Sequence, residues 1–307
     1  MYGGTGVGKS QFVNDAAGRP DMSVGHDLRS CTQIVAASQP FVLDGQNIVL
    51  FDTPGFDDTT MSDADTLKRI AEFLETMYRR GMKLKGLVYM HRITDMRMAG
   101  ASARTYRLLR NLCGTANLSN VVICTNMWSN PPTEDELRRE AQLETEFFKV
   151  ALENGAKMVR RSRPGMETAH DVLRVLLPKA PTVLEVTSDV VDRGMRLQDT
   201  EAGKFVEAEL RFKLDKQEQE LQEIKAEIAT SLAENDLKFR NELEKLRAKK
   251  ENDMSTLSRQ LASLGVEVEE GRKFWEGQFE DMRARRVQAM RLADEQGKFL
   301  NLESSWS

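Results

Sequence analysis

The 307-residue chain is poor in cysteine, with only Cys31, Cys113 and Cys124. An odd number at such wide spacing supports neither a disulfide framework nor a zinc site, so a reduced, cytoplasmic protein is expected. No apolar run approaches the ~18 residues of a membrane span. The N-terminus has neither the basic start nor the apolar stretch of a signal peptide. A basic excess is also lacking: the formal net charge is −4, which argues against a dedicated nucleic-acid binder. Proline is missing from the last 126 residues, because all eight lie at or before Pro181. Proline breaks helix interiors, so that stretch is free to form long helices. Charge divides near the same point, with 23 basic and 22 acidic side chains in residues 1–185 and 21 against 26 in residues 186–307. The expected organisation is a near-neutral domain over 1–185, a linker helix and coiled coil over 186–264, and an amphipathic helical segment over 265–307.

What is present begins at once. Gly3-Gly4-Thr5-Gly6-Val7-Gly8-Lys9-Ser10 fits the pattern G-x-x-x-x-G-K-[ST]. Its glycines let the backbone close around phosphates with N–H groups pointing inward. Lys9 is the expected contact to the β- and γ-phosphates, and the Ser10 hydroxyl a ligand of Mg²⁺. The helix expected to start near Lys9 adds its positive dipole end. A phosphate loop of this kind normally follows a buried strand, yet only Met1 and Tyr2 precede Gly3, too few for a strand of ~5–6 residues. The first strand is therefore expected to be missing, leaving its neighbours exposed. A start set too late, an imposed boundary and a biological truncation all remain open as explanations.

Behind the loop the pattern alternates as an α/β domain requires. Helices are expected at 9–17, Asp65–Arg79, Ala101–Cys113, Thr133–Leu152 and Glu167–Leu177. Strands are expected at Gln33–Leu43, Gln46–Phe51, Gly86–Ile93, Asn120–Thr125 and Lys157–Arg160, with a tight Asp44-Gly45 turn between the first two. Thr133 and Glu136 form a capping box for the long fourth helix. Asp52-Thr53-Pro54-Gly55 follows a strand, so Asp52 is placed to hold Mg²⁺ through water and the Gly55 amide to meet a γ-phosphate. Thr32, in Ser30-Cys31-Thr32, is a natural second hydroxyl for the metal, with Thr53 and Thr59 as competitors.

Taken together, Gly3–Ser10, the stretch 25–32 and Asp52–Phe56 resemble the septin, AIG1 (GIMAP) and Toc branch of the P-loop GTPases. The likeness is strongest to fungal AIG1-like G-domain proteins, whose next strand runs into a segment similar to His91-Arg92-Ile93-Thr94-Asp95-Met96-Arg97. Over roughly residues 1–185 this resemblance implies a Ras-like fold that binds GTP or GDP with Mg²⁺ and dimerises across the nucleotide face. It also makes Arg97 a candidate for an arginine donated across such a dimer, with Arg92 and His91 behind it; the alternative, which is favoured, is that Arg97 caps a surface loop of its own chain.

The base-recognition motif fits less well. The family pattern ends in an acid that accepts two hydrogen bonds from guanine. Here Thr125-Asn126-Met127-Trp128-Ser129 puts Ser129 there if Asn126 leads, or Trp128 if Thr125 leads. Asn126 and Trp128 are the candidate base contacts, Trp128 by stacking on the base or else by covering the sheet end. Losing the acid removes discrimination against adenine. Phe56 stands where a glutamine would orient the attacking water, so hydrolysis is expected to be slow.

In the tail, Leu210, Leu214, Leu221, Ile224 and Ile228 recur at 3–4 spacing, slip phase near Leu232, and resume at Phe239, Leu243, Leu246, Leu257, Leu261 and Leu264. A coiled coil, which could join two copies of the chain, is expected, with a single long charged helix as the alternative. Residues 272–292 mix aromatic rings with arginines, which suits an acidic membrane surface or a fold back onto the chain's own domain; the fold back is favoured. The reading is a slow, dimerisation-dependent GTPase with an association tail and an unidentified protein partner. The alternatives are a nucleotide-binding scaffold with negligible hydrolysis and an ATP-binding P-loop protein.

Overall fold

A computed structural model describes residues 1–22, 34–56, 61–95, 100–234, 237–265, 273–284 and 287. Its strands are β1 (Ala36–Ala37), β2 (Phe41–Leu43), β3 (Gln46–Ile48), β4 (Phe51–Asp52), β5 (Leu87–Arg92), β6 (Val121–Asn126) and β7 (Lys157–Arg160). The helices are α1 (Lys9–Ala17), α2 (Asp63–Arg79), α3 (Ala101–Cys113), α4 (Glu134–Gln142), α5 (Lys149–Glu153), α6 (Met166–Arg174), α7 (Glu185–Val191), α8 (Glu201–Glu234) and α9 (Leu237–Leu264). This is an α/β domain followed by long helices. β5, β6 and β7 pair in parallel, while β1 pairs antiparallel with β4 and β2 with β3.

Successive side chains of a strand point to opposite faces, and both faces of the parallel sheet are covered. Val88, Met90, Val122 and Cys124 pack with Phe12, Val13, Val172 and Leu173 of α1 and α6. Tyr89, Val121 and Ile123 belong to the opposite core, with Leu67, Leu74, Leu109 and Leu112 of α2 and α3. Cys113 and Cys124 are free and buried, and burial pushes both thiols up to about 12. Cys31 lies outside the described residues.

No strand forms among the described residues ahead of the loop, as expected, but Met1 and Tyr2 span part of the gap through isolated pairings. Met1 and Tyr2 lie in the first-strand position: the Tyr2 N–H donates to Val88 O (2.9 Å) and the Met90 N–H to Tyr2 O (2.8 Å). On the other edge the Met1 nitrogen donates to Phe51 O, and Thr53 Oγ1 donates to Met1 O at 2.7 Å. A strand's position is fixed by its ladder partners, and two residues suffice to bridge β5 and β4. Tyr2 is 1% exposed.

Several expected elements are altered; the strand drawn over 46–51, for one, divides into β3 and β4. The strand drawn over 33–43 divides into β1 and β2 around Ser38–Pro40, because proline cannot donate to a ladder. The helix drawn over 133–152 contains a π-helical turn at Leu143–Phe147. The Asp44-Gly45 turn forms as expected, with φ of 49° and 78°.

The tail departs most from expectation. α9 runs back along α8, so the apolar stripe meets its own chain. Lys250 pairs with Glu220, and Ile224 and Ile228 pack against Leu243. Leu264, at the end of α9, joins the same core as Leu197, Val206 and Leu210. The described part of the C-terminal segment folds back too. Residues 273–284 are helical, and Trp275 and Phe279 pack on Phe73 of α2, with centroids 5.0 and 5.9 Å away. Trp275 and Phe279 of that stretch are therefore used within the chain, whereas Phe274 and Val287 are exposed. No helix among the described residues is long and apolar enough to cross a membrane.

Candidate functional site

Gly8 caps α1 with φ 92°, a left-handed conformation glycine adopts freely. A Cβ there would lie 2.9 Å from Asn126 Nδ2, so a side chain at Gly8 would push the Asn126 amide aside and would be strained at this φ. A glycine cap supplies no side-chain acceptor, and none is found at α1. A helix start of this kind is a favourable place for an anion.

Lys9 is 7% exposed. Its ammonium donates to Gly3 O (3.1 Å) and Gly4 O (2.9 Å), which curls it over the loop. One residue on, Ser10 Oγ donates to Asp52 Oδ2 at 2.6 Å. Asp52 is fully buried at the end of β4. A hydroxyl and a carboxylate from opposite sides of the site thus meet at the start of α1, the pairing of hard oxygen donors that suits Mg²⁺.

The segment after Asp52 lies along the loop. Thr5 N donates to Phe56 O at 3.1 Å, and a Cβ on Gly55 would be 2.4 Å from Thr5 Oγ1. Phe56 is 1% exposed, its ring against Tyr2 at 5.2 Å. Thr32 and Arg97 lie outside the described residues.

Asn126 Nδ2 donates to Val7 O at 3.2 Å, tying the end of β6 to the loop. That favours the alignment led by Asn126, with Ser129 in the acid's position. Met127, with φ 62°, lies beside Gly8 and is 42% exposed. Trp128, expected either to stack on the base or to cover the sheet end, is buried. Its indole N–H donates to Thr125 O and Oγ1, both at 3.2 Å, and the Arg160 guanidinium covers it at 4.4 Å. These contacts suit a ring that covers the sheet end.

Ser129 donates through its N–H (3.0 Å) and Oγ (2.9 Å) to Glu136 Oε1, while Thr133 N donates to Glu136 Oε2 at 2.9 Å. These bonds, first that from Thr133, hold the Glu136 carboxyl below its usual range. The capping box was legible from spacing; its hold on Ser129 was not, because it depends on how the intervening loop folds. A new Asp at 129 would face Glu136 across the same gap, so the loop is built for a hydroxyl.

At the end of β5, Arg92 Nη1 lies 3.9 Å from where a Gly6 Cβ would be, and Arg92 pairs with Asp95 at 3.0 Å. His91 points away from the loop, 3% exposed and between the rings of Tyr89 and Phe148. Burial, aided by Arg92 and opposed by Asp95, lowers its pKa to about 4. The unfolded chain binds this proton near 6.5 and the fold only near 4, so stability rises with pH between those values. Acidifying from pH 7 to 4 should cost about 3 kcal/mol through this group. Urea titrations across that range should show the slope, and His91→Gln should lack it.

No protein-family model matches the chain. Among solved structures it is similar to Toc33 from Arabidopsis thaliana, seen as a dimerisation-deficient mutant, in complex with GDP and Mg²⁺, and in complex with Mg²⁺ and GMPPNP. Sequence identity is 16% in each case, over 59% of this chain and 85% of that one. The TM-scores are 0.46, 0.45 and 0.45.

Proposed function

We propose that the chain is a GTP-binding protein that holds its nucleotide with Mg²⁺ on the Gly3–Ser10 loop and hydrolyses it slowly. The observation that carries this reading is the Ser10–Asp52 contact beneath the loop. A hydroxyl at the helix start and a buried acid at a strand end are the donors a phosphate-bound metal needs. Ser10 would ligate Mg²⁺ directly, Asp52 through water, and Thr32 as the second hydroxyl. Bound there, the metal neutralises charge that develops between the β- and γ-phosphates. Lys9 exchanges its loop carbonyls for phosphate oxygens, and the Gly55 amide faces the γ-phosphate. Gly4, Thr5, Gly6 and Val7 supply backbone N–H groups, and Asn126 and Met127 flank the base.

Slow turnover follows from Phe56, whose buried ring cannot orient water. Appreciable hydrolysis then needs a group from a second domain, with Arg97 as the candidate donor across a homodimer. Specific activity should climb with protein concentration. Turnover per chain that stays flat over a wide range would favour the nucleotide-binding scaffold instead.

One observation favours ATP as a second reading: Ser129, in the place of the base-reading acid, is occupied with Glu136. A site that hydrogen-bonds its base edge rejects the wrong one by ~10⁴. Displacement of a labelled GTP analogue by ATP should show discrimination far below that, with GTP still the better competitor. Stronger displacement by ATP would replace the GTP reading.

A further inference from the structure

We propose that Arg104 is a positioning residue that couples the nucleotide site to the helical hairpin of α8 and α9, so that each reports the other's state. The inference rests on the nucleotide reading above. Arg104, on α3, pairs with Asp63, the first residue of α2, and its Nε lies 3.2 Å from Glu209 Oε2 on α8. The side chains are 17%, 14% and 30% exposed respectively. A guanidinium presents several donors in a rigid plane, so it can grip two carboxylates from different elements at once. Partial burial shields these pairs from the screening that weakens surface ion pairs.

A separate apolar path reaches the same place. Phe51, directly before Asp52, packs on Phe73 of α2 at 4.7 Å. Phe73 in turn meets Trp275 at 5.0 Å. Arg80, just past α2, lies over the Phe279 ring at 5.8 Å and donates to Glu276 O at 2.9 Å. α2 is thus held between the strand that carries Asp52 and the returning tail. It begins eight residues after Gly55. A shift of the Asp52–Gly55 segment on contacting phosphate moves both Phe51 and the start of α2. The ion pairs and the stacked rings carry that displacement to α8 and to residues 273–284. Such coupling is reciprocal: tail contacts that respond to the bound nucleotide must change relative nucleotide affinity by the same factor.

The test uses the full chain and the ratio of affinities for GMPPNP and GDP. A residue that only stabilises the fold lowers the melting temperature and leaves this ratio alone. Glu209→Gln and Arg104→Gln should each shift the ratio by about fivefold or more in either direction, and Glu209→Asp should restore part of it. A smaller shift in folded variants overturns the coupling. Should Arg104→Gln fail to fold, because Asp63 loses its partner, Glu209→Gln decides. Hydrogen exchange in the unaltered chain gives a second measurement. Protection over 201–210 and 273–284 should differ between the two nucleotides, and identical protection counts against the proposal. Absence of GDP binding by the unaltered chain would instead overturn the nucleotide reading, which separates the two failures.

Discussion

Replacing Lys9 by alanine is expected to abolish nucleotide binding, with a loss of about 3–4 kcal/mol, or two to three orders of magnitude in affinity. The ammonium is the one side-chain charge of the Gly3–Ser10 loop, and it is nearly buried where it bonds Gly3 O and Gly4 O. In a low-dielectric position a point charge facing phosphates acts at close to full strength. Lys9→Arg should not rescue, because a planar guanidinium cannot occupy the space of a compact ammonium. Equilibrium dialysis with a labelled GTP analogue reads the effect, and a melting curve verifies the fold. Unchanged binding by a folded Lys9→Ala chain would sink the assignment of the loop.

The largest expected effect on stability lies elsewhere, at Arg161. This guanidinium, just past β7, is 2% exposed, pairs with Asp15 of α1 and lies over the Phe12 ring at 5.0 Å. Asp15 Oδ2 also accepts the Gly165 N–H at 3.1 Å. Arg161→Ala leaves a mostly buried carboxylate without its counter-charge and should cost about 3–5 kcal/mol. Breaking a buried pair costs far more than replacing it. The double change Arg161→Met with Asp15→Leu should therefore recover most of the loss. Chemical denaturation of the three chains measures both, and a single variant within 1 kcal/mol of the parent (of the order of a surface pair) would mean the pair is effectively solvated.

What the sequence reveals about such a site depends on how local its chemistry is. The phosphate loop was legible because its glycines, Lys9 and Ser10 are consecutive. Asp52 was legible through its order and distance from them. Trp128 was not, since the side it faces is set by Thr125 and by Arg160, which arrives from a different strand. Arg161 gave no signal at all: its meaning comes from Asp15, far away in sequence. In the tail the apolar spacing announced paired helices, but a stripe does not say whether its partner is a second copy or the same chain. Here α9 of the same chain packs along that stripe. The rings at 275 and 279 were read as folding back, and the structure provides their seat on Phe73.

The hairpin also has a mechanical consequence. Its base is anchored, with Val206, Leu210 and Leu264 in the main core, whereas Ile224, Ile228 and Leu243 form a small cluster of their own. At 1.5 Å per residue, Ile228 stands about 33 Å along the helix from Val206. The pair of helices therefore behaves as a lever with its fulcrum on α2 and α3. A rotation of about 10° at the base, too small to break either helix, would sweep the cluster at Ile228 sideways by about 6 Å. An ångström-scale event beside Asp52 would thus be magnified several-fold at the far end of α8, where a distance measurement between spin labels would read it directly.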